Sequence, residues 1–138
     1  MIQELLIAEL LNKKDIKRDQ PMEWSLKHLC SCSQLAKLLA LNRGIDPEIA
    51  GIAGAVHDLY IIQTGIFENH GPIGAPIVKA FLEDFNDKFG LECGAISTSD
   101  IDLIVEATEK HTQKAEFNDK PFVELIKMLM RLIDFYTE

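Results

Sequence analysis

Asp46-Pro47-Glu48-Ile49-Ala50-Gly51-Ile52-Ala53-Gly54-Ala55-Val56-His57-Asp58 is the stretch that decides the fold. A capping carboxylate, a proline suited to the first helical position and an acid in the first turn together predict a helix over Ile49 to His57. Five residues in its middle, Ala50, Gly51, Ala53, Gly54 and Ala55, are small. They cost helix propensity, so their compensation is close approach by neighbouring helices. His57 lies four residues after Ala53 and seven after Ala50, on that same small-residue side, and Asp58 follows directly.

Upstream, Ile2, Leu5, Leu6, Leu10 and Leu11 recur at helical spacing and predict a helix over 2–13. Pro21 fits the first turn of a second helix through Trp24, Leu29, Cys32, Leu35, Ala36 and Leu39, ended by Asn42 and Gly44. Downstream, residues 58–71 keep no helical period. Gly65 and Asn69-His70-Gly71-Pro72 predict an irregular connection there, with a short strand at Ile61-Ile62 as an option. Ile73, Ile77, Ala80, Phe81 and Phe85 trace a further helix ending before Gly90, and Ser99 caps another that reaches about His111. Residues 112–120 read as polar loop. Pro121 opens the last helix, through Phe122, Leu125, Ile126, Leu129, Met130 and Ile133. The fold class is all-α: one compact domain of five to six helices over 1–138, with 1–20 a leading helix and loop and 21–138 the core.

A chain of 138 residues buries enough surface to fold without disulfides or metal, so any metal would serve chemistry. Fourteen Lys plus Arg against twenty-two Asp plus Glu give −8, and no basic run offsets this, which argues against nucleic-acid or anionic-membrane partners. Apolar stretches such as Leu38 to Leu41 fall far short of the ~20 residues a membrane span needs. No secretory signal is legible in residues 1–20, and the chain is read as cytoplasmic. The first helix is apolar enough to cover either its own core or a second copy, which leaves a homodimer open. Cys30, Cys32 and Cys93 lack redox or zinc spacing and read as small buried filler; Cys30 and Cys32 would point about 200° apart on a helix.

The four histidines are His28, His57, His70 and His111. His28 shares a stripe with Trp24, Cys32 and Leu35, and His111 extends the stripe of Ile104 and Ala107. Asp134 is an acid in the final turn of the most apolar helix. Any one of these histidines alone reads as an ordinary half-buried residue. Together with Asp58 and Asp134 they form a nitrogen and oxygen donor set suited to iron, manganese, zinc or cobalt, and a cation would offset the cost of burying the carboxylates.

The order His28, His57-Asp58, Asp134 resembles the His, His-Asp, Asp pattern of the HD superfamily of metal-dependent phosphohydrolases, over about residues 22–137. Its specific parts are Ala-Gly-Ala-Val-His57-Asp58, His70-Gly-Pro-Ile-Gly-Ala and Glu-Lys-His111-Thr. His70 and His111 are similar to the extra histidines of two-metal members, including the branch that hydrolyses diadenosine tetraphosphate at a di-iron site. The resemblance implies an HD-like fold with one or two divalent transition metal ions, Fe, Mn, Co or Zn, iron being favoured. It implies that His28, His57, Asp58 and Asp134 bind the first and that His70 and His111 bind the second, with Asp58 bridging. Lys114 stands where that branch has a basic residue, so Asp58 and Lys114 are the implied catalytic pair.

The function implied is hydrolysis of a small phosphorylated substrate, a nucleotide or dinucleoside polyphosphate, through a metal-activated hydroxide. The alternatives are an HD-type di-iron oxygenase and a non-catalytic module that binds a nucleotide or a partner. Among the remaining residues, Trp24 reads as core and Lys27 and Lys110 as surface, while Arg131 is left between a phosphate, Glu138 and no partner.

Overall fold

A computed structural model describes residues 1–137, with side chains as far as Ile133; the Asp134 side chain lies outside the described residues. The helices are α1 (Ile2–Asn12), α2 (Met22–Arg43), α3 (Pro47–Val56), α4 (Leu59–Thr64), α5 (His70–Cys93), α6 (Thr98–Lys110) and α7 (Pro121–Thr137). Six of them have ten residues or more, and the all-α expectation holds.

Local chemistry explains most boundaries. Asp46 Oδ1 accepts from the N–H groups of Glu48 and Ile49 at 2.9 and 3.4 Å, which starts α3 at Pro47. Gly44 ends α2 in the left-handed region at φ 69°, a conformation that a Cβ disfavours. Three expectations change. Residues 59–64 form a helix rather than an irregular stretch or strand; Leu59, Ile61 and Ile62 are all buried, so a short segment with several covered sides shows no period. Helix α5 starts at His70 and runs past Gly90 to Cys93. Pro72 is tolerated because the first turn of a helix needs no N–H donors. The cap of α6 is Ser97, not Ser99: its Oγ accepts the N–H of Asp100, three residues on, at 3.1 Å.

Packing bears out the reading of the small residues. A Cβ on Gly54 would sit 2.5 Å from the carbonyl oxygen of Cys32, so the backbones of α2 and α3 touch. Ser33 Oγ donates to the Gly51 carbonyl at 2.9 Å across the same crossing. Leu6 and Leu10 of α1 are buried in the chain's own core, where that helix packs on α2, α3 and α4. The inward stripe of α2 is Ser25, Leu29, Cys32, Ser33, Ala36 and Ala40. Leu35 falls beside this stripe and is 38% exposed, against expectation. Among the described residues, no helix is long and apolar enough to cross a membrane.

Candidate metal centre

The α2–α3 crossing delivers the first half of the site. His28 comes from α2, while His57 is the residue that closes α3 and Asp58 is the one that opens α4. Asp58 Oδ2 lies 2.9 Å from His28 Nε2 and 3.3 Å from His57 Nε2. The second half comes from the start of α5 and the end of α6. Asp58 Oδ1 lies 3.3 Å from His70 Nε2 and 3.4 Å from His111 Nε2. The Nε2 atoms also approach in pairs, 3.2 Å for His28 and His57 and 2.9 Å for His70 and His111. Four histidines from four places in the chain thus converge on the two oxygens of one carboxylate. Gly71 makes the second convergence possible: its Cβ would stand 3.0 Å from the Glu109 carbonyl oxygen, so α5 and α6 meet closely beside His70 and His111.

Backbone carbonyls hold three of the rings. Nδ1 of His57 lies 2.7 Å from the Gly54 carbonyl, Nδ1 of His70 2.6 Å from that of Phe67, and Nδ1 of His111 2.6 Å from that of Thr108. A carbonyl only accepts, so each Nδ1 carries the proton and donates it, leaving the neutral ring a lone pair on Nε2. Metal-ligating histidines are oriented by such contacts.

A family model described as HD domain matches residues 25–134. The chain belongs to the HD domain family. Neither a curated protein nor a solved structure matches it. HD domains bind divalent metals, and the family is generally one of metal-dependent hydrolases.

The donor atoms of this HD domain fit a cation. Asp58 Oδ1 is buried without a hydrogen-bond donor, although two imidazole nitrogens face it. Those nitrogens offer lone pairs, so neutral rings leave the carboxylate unsatisfied, and a positive charge shared among nitrogen and carboxylate donors would satisfy all of them. The electrostatics agree. Burial alone would lift Asp58, but the imidazoles gathered on its oxygens hold it well below the ordinary carboxylate value. Burial lowers His57 and keeps it neutral, as a ligand must be. Burial also opposes charge on His70, yet the Asp58 carboxylate beside it wins and raises it.

His28, Asp58, His70 and His111 face a cavity of about 280 Å³ that Lys114 also lines. The expectations for Trp24 and Arg131 change here. Trp24 is half-buried at this cavity, stacked on His28 at 4.5 Å between ring centroids, with the exposed Phe67 edge-on at 6.3 Å. Arg131 pairs with Glu124 at 3.0 Å and donates from Nε to the Lys114 carbonyl at 2.9 Å, so it braces the loop that presents Lys114. Lys27 is exposed, and Lys110 binds Glu106 at 2.7 Å. The filler reading fails for Cys93, which is exposed, and holds for Cys32, which is buried in the core with its Sγ 3.5 Å from His28 Nε2. The i, i+4 spacing of His28 and Cys32 was the available signal.

Proposed function

We propose that this HD domain is a metal-dependent phosphohydrolase acting on a nucleotide or dinucleoside polyphosphate. The observation that carries the reading is the convergence of four imidazole Nε2 atoms on the two oxygens of Asp58. In this reading His28, His57 and Asp58 Oδ2 hold one divalent ion, and His70, His111 and Asp58 Oδ1 hold a second. Asp134 is assigned to the first by family resemblance. Iron is the favoured metal, with manganese, cobalt and zinc suited to the same donors.

A pair of divalent ions lowers the pKa of bound water and neutralises phosphate oxygens. The chain's own residues supply the rest. Asp58 sets the separation of the two sites by presenting one oxygen to each. Lys114 offers a cation to a phosphate in the cavity, which matters in a chain of net charge −8. The aromatic surfaces of Trp24 and Phe67 at the cavity suit the stacking of a base.

The test is phosphate release from a panel of nucleotides and dinucleoside polyphosphates by protein purified without chelator, with its metal content measured. Activity that stops with chelator and returns with added metal supports the proposal. Metal-loaded protein that releases no phosphate across the panel overturns it, and oxygen uptake with an organic substrate would then favour the oxygenase alternative.

A further inference from the structure

We propose that Cys32 is a ligand of the first metal and that its sulfur biases that centre toward zinc, cobalt or iron over manganese and magnesium. The proposal rests on the metal reading above and adds a residue and a selectivity to it.

His28, Cys32 and His57 bring one donor atom each within 4.8 Å of one another. Cys32 Sγ lies 3.5 Å from His28 Nε2, and His28 Nε2 lies 3.2 Å from His57 Nε2. Asp58 Oδ2 stands 2.9 and 3.3 Å from the same two nitrogens. An ion with bonds of ~2.3 Å to sulfur and ~2.0–2.1 Å to nitrogen in tetrahedral geometry requires edges of about 3.5 Å between sulfur and nitrogen and about 3.3 Å between nitrogens. The 3.5 and 3.2 Å separations match its sulfur–nitrogen and nitrogen–nitrogen edges, and with Asp134 as a further ligand the ion would be five-coordinate.

Hydrogen bonding gives the sulfur only a weak part. If His28 Nε2 donates to Asp58 Oδ2 at 2.9 Å, Cys32 Sγ at 3.5 Å is left as a weak acceptor of the same proton; if the thiol donates to that nitrogen instead, Asp58 Oδ2 loses the His28 proton. A cation among the four donors would engage the sulfur, both nitrogens and the carboxylate oxygen together. On binding, the S–H proton leaves to solvent and the electron pair on sulfur forms the metal bond, so one proton is released per ion.

The fold holds this sulfur in place. Cys32 is fully buried, and its backbone is pressed against Gly54 at the α2–α3 crossing, so Sγ is fixed one turn from His28. Thiolate is a soft ligand that suits zinc, cobalt and iron, whereas manganese and magnesium prefer oxygen.

The experiment is anaerobic titration with cobalt(II) of the wild-type protein, Cys32→Ser and Cys32→Ala, with Cys30→Ser as control and circular dichroism to verify folding. The wild type and Cys30→Ser should show visible ligand-field bands and a near-ultraviolet sulfur-to-cobalt charge-transfer band; the Cys32 variants should keep the first and lose the second. Their zinc affinity should fall about tenfold or more while manganese affinity changes little. Ligand-field bands in every protein with no charge-transfer band in the wild type would overturn the role of Cys32 and leave the metal reading standing. Failure to bind cobalt or zinc at all would overturn both. Should neither Cys32 variant fold, X-ray absorption of zinc-loaded wild type decides: a sulfur neighbour at ~2.3 Å supports the proposal, and nitrogen and oxygen neighbours alone overturn it.

Discussion

Asp19 Oδ2 accepts the backbone N–H of Phe67 at 2.8 Å, and the carbonyl of that same Phe67 accepts from Nδ1 of His70 at 2.6 Å. A carboxylate in the α1–α2 loop therefore positions a histidine of the metal centre through one residue. Arg18 reinforces the clamp by donating to the carbonyls of Ile61 and Ile62 at 2.9 and 2.6 Å, and Asp19 N–H donates to Gly65 at 2.9 Å. The family match begins at residue 25, so this support comes from outside it.

Asp19→Ala should loosen His70 without touching His28 or His57. The expected result is one tightly held ion and a second bound about tenfold more weakly. Asp19→Asn keeps an acceptor oxygen and should restore most of the loss. Calorimetric metal titration of both variants checks this, and equal weakening of both sites would count against the clamp.

Asp58 and the histidines should differ in what they remove. Asp58→Ala takes an oxygen from both halves of the site and should leave almost no metal. His70→Ala and His111→Ala each take a ligand from the second half alone, so they should retain about one ion and lose most of the activity. All three should stay folded, because a chain of this length can rest on its apolar core. Elemental analysis beside circular dichroism reads the outcome.

Two glycines of α3 should respond oppositely to alanine. Gly54→Ala places a Cβ against the rigid backbone of Cys32 and should destabilise by about 3 kcal/mol. Gly51→Ala meets only the flexible side chain of the exposed Lys37, and the gain in helix propensity of about 1 kcal/mol should make it nearly neutral or stabilising. Urea midpoints of the two variants would show the contrast.

Stability of the metal-free protein should depend on pH with signs set by three groups. Asp58 and His57 are both depressed on folding, so their contributions are present above the ordinary values of 3.8 and 6.5 and are lost as pH falls through the folded values. His70 is raised, so its contribution is present below 6.5 and is lost as pH climbs through its folded value. Asp58→Asn removes the charge that lifts His70 along with its own acid-side term. Melting temperatures across pH should therefore flatten for this variant below 3.8 and above 6.5; a profile parallel to wild type would contradict the assignment.

What the sequence determined by itself was most of what neighbours within about one helical turn govern, the cap of α6 at Ser97 rather than Ser99 being an exception. Asp46 and Pro47 opened α3 because capping joins residues two and three apart, and the period of Ile101, Ile104 and Ala107 drew α6 because its buried face repeats every turn. The histidines were legible through their order along the chain. Residues 59–64 were not, since a short helix covered on several sides has no polar face to mark its period. Nor could local spacing tell that Trp24 stacks on His28 at the cavity, that Arg131 binds Glu124, or that Cys32 shares a donor cluster with two imidazoles. Those outcomes depend on where separate helices cross. Gly54 against Cys32 and Gly71 against Glu109 set those crossings, and only their geometry brings four ring nitrogens to the two oxygens of Asp58.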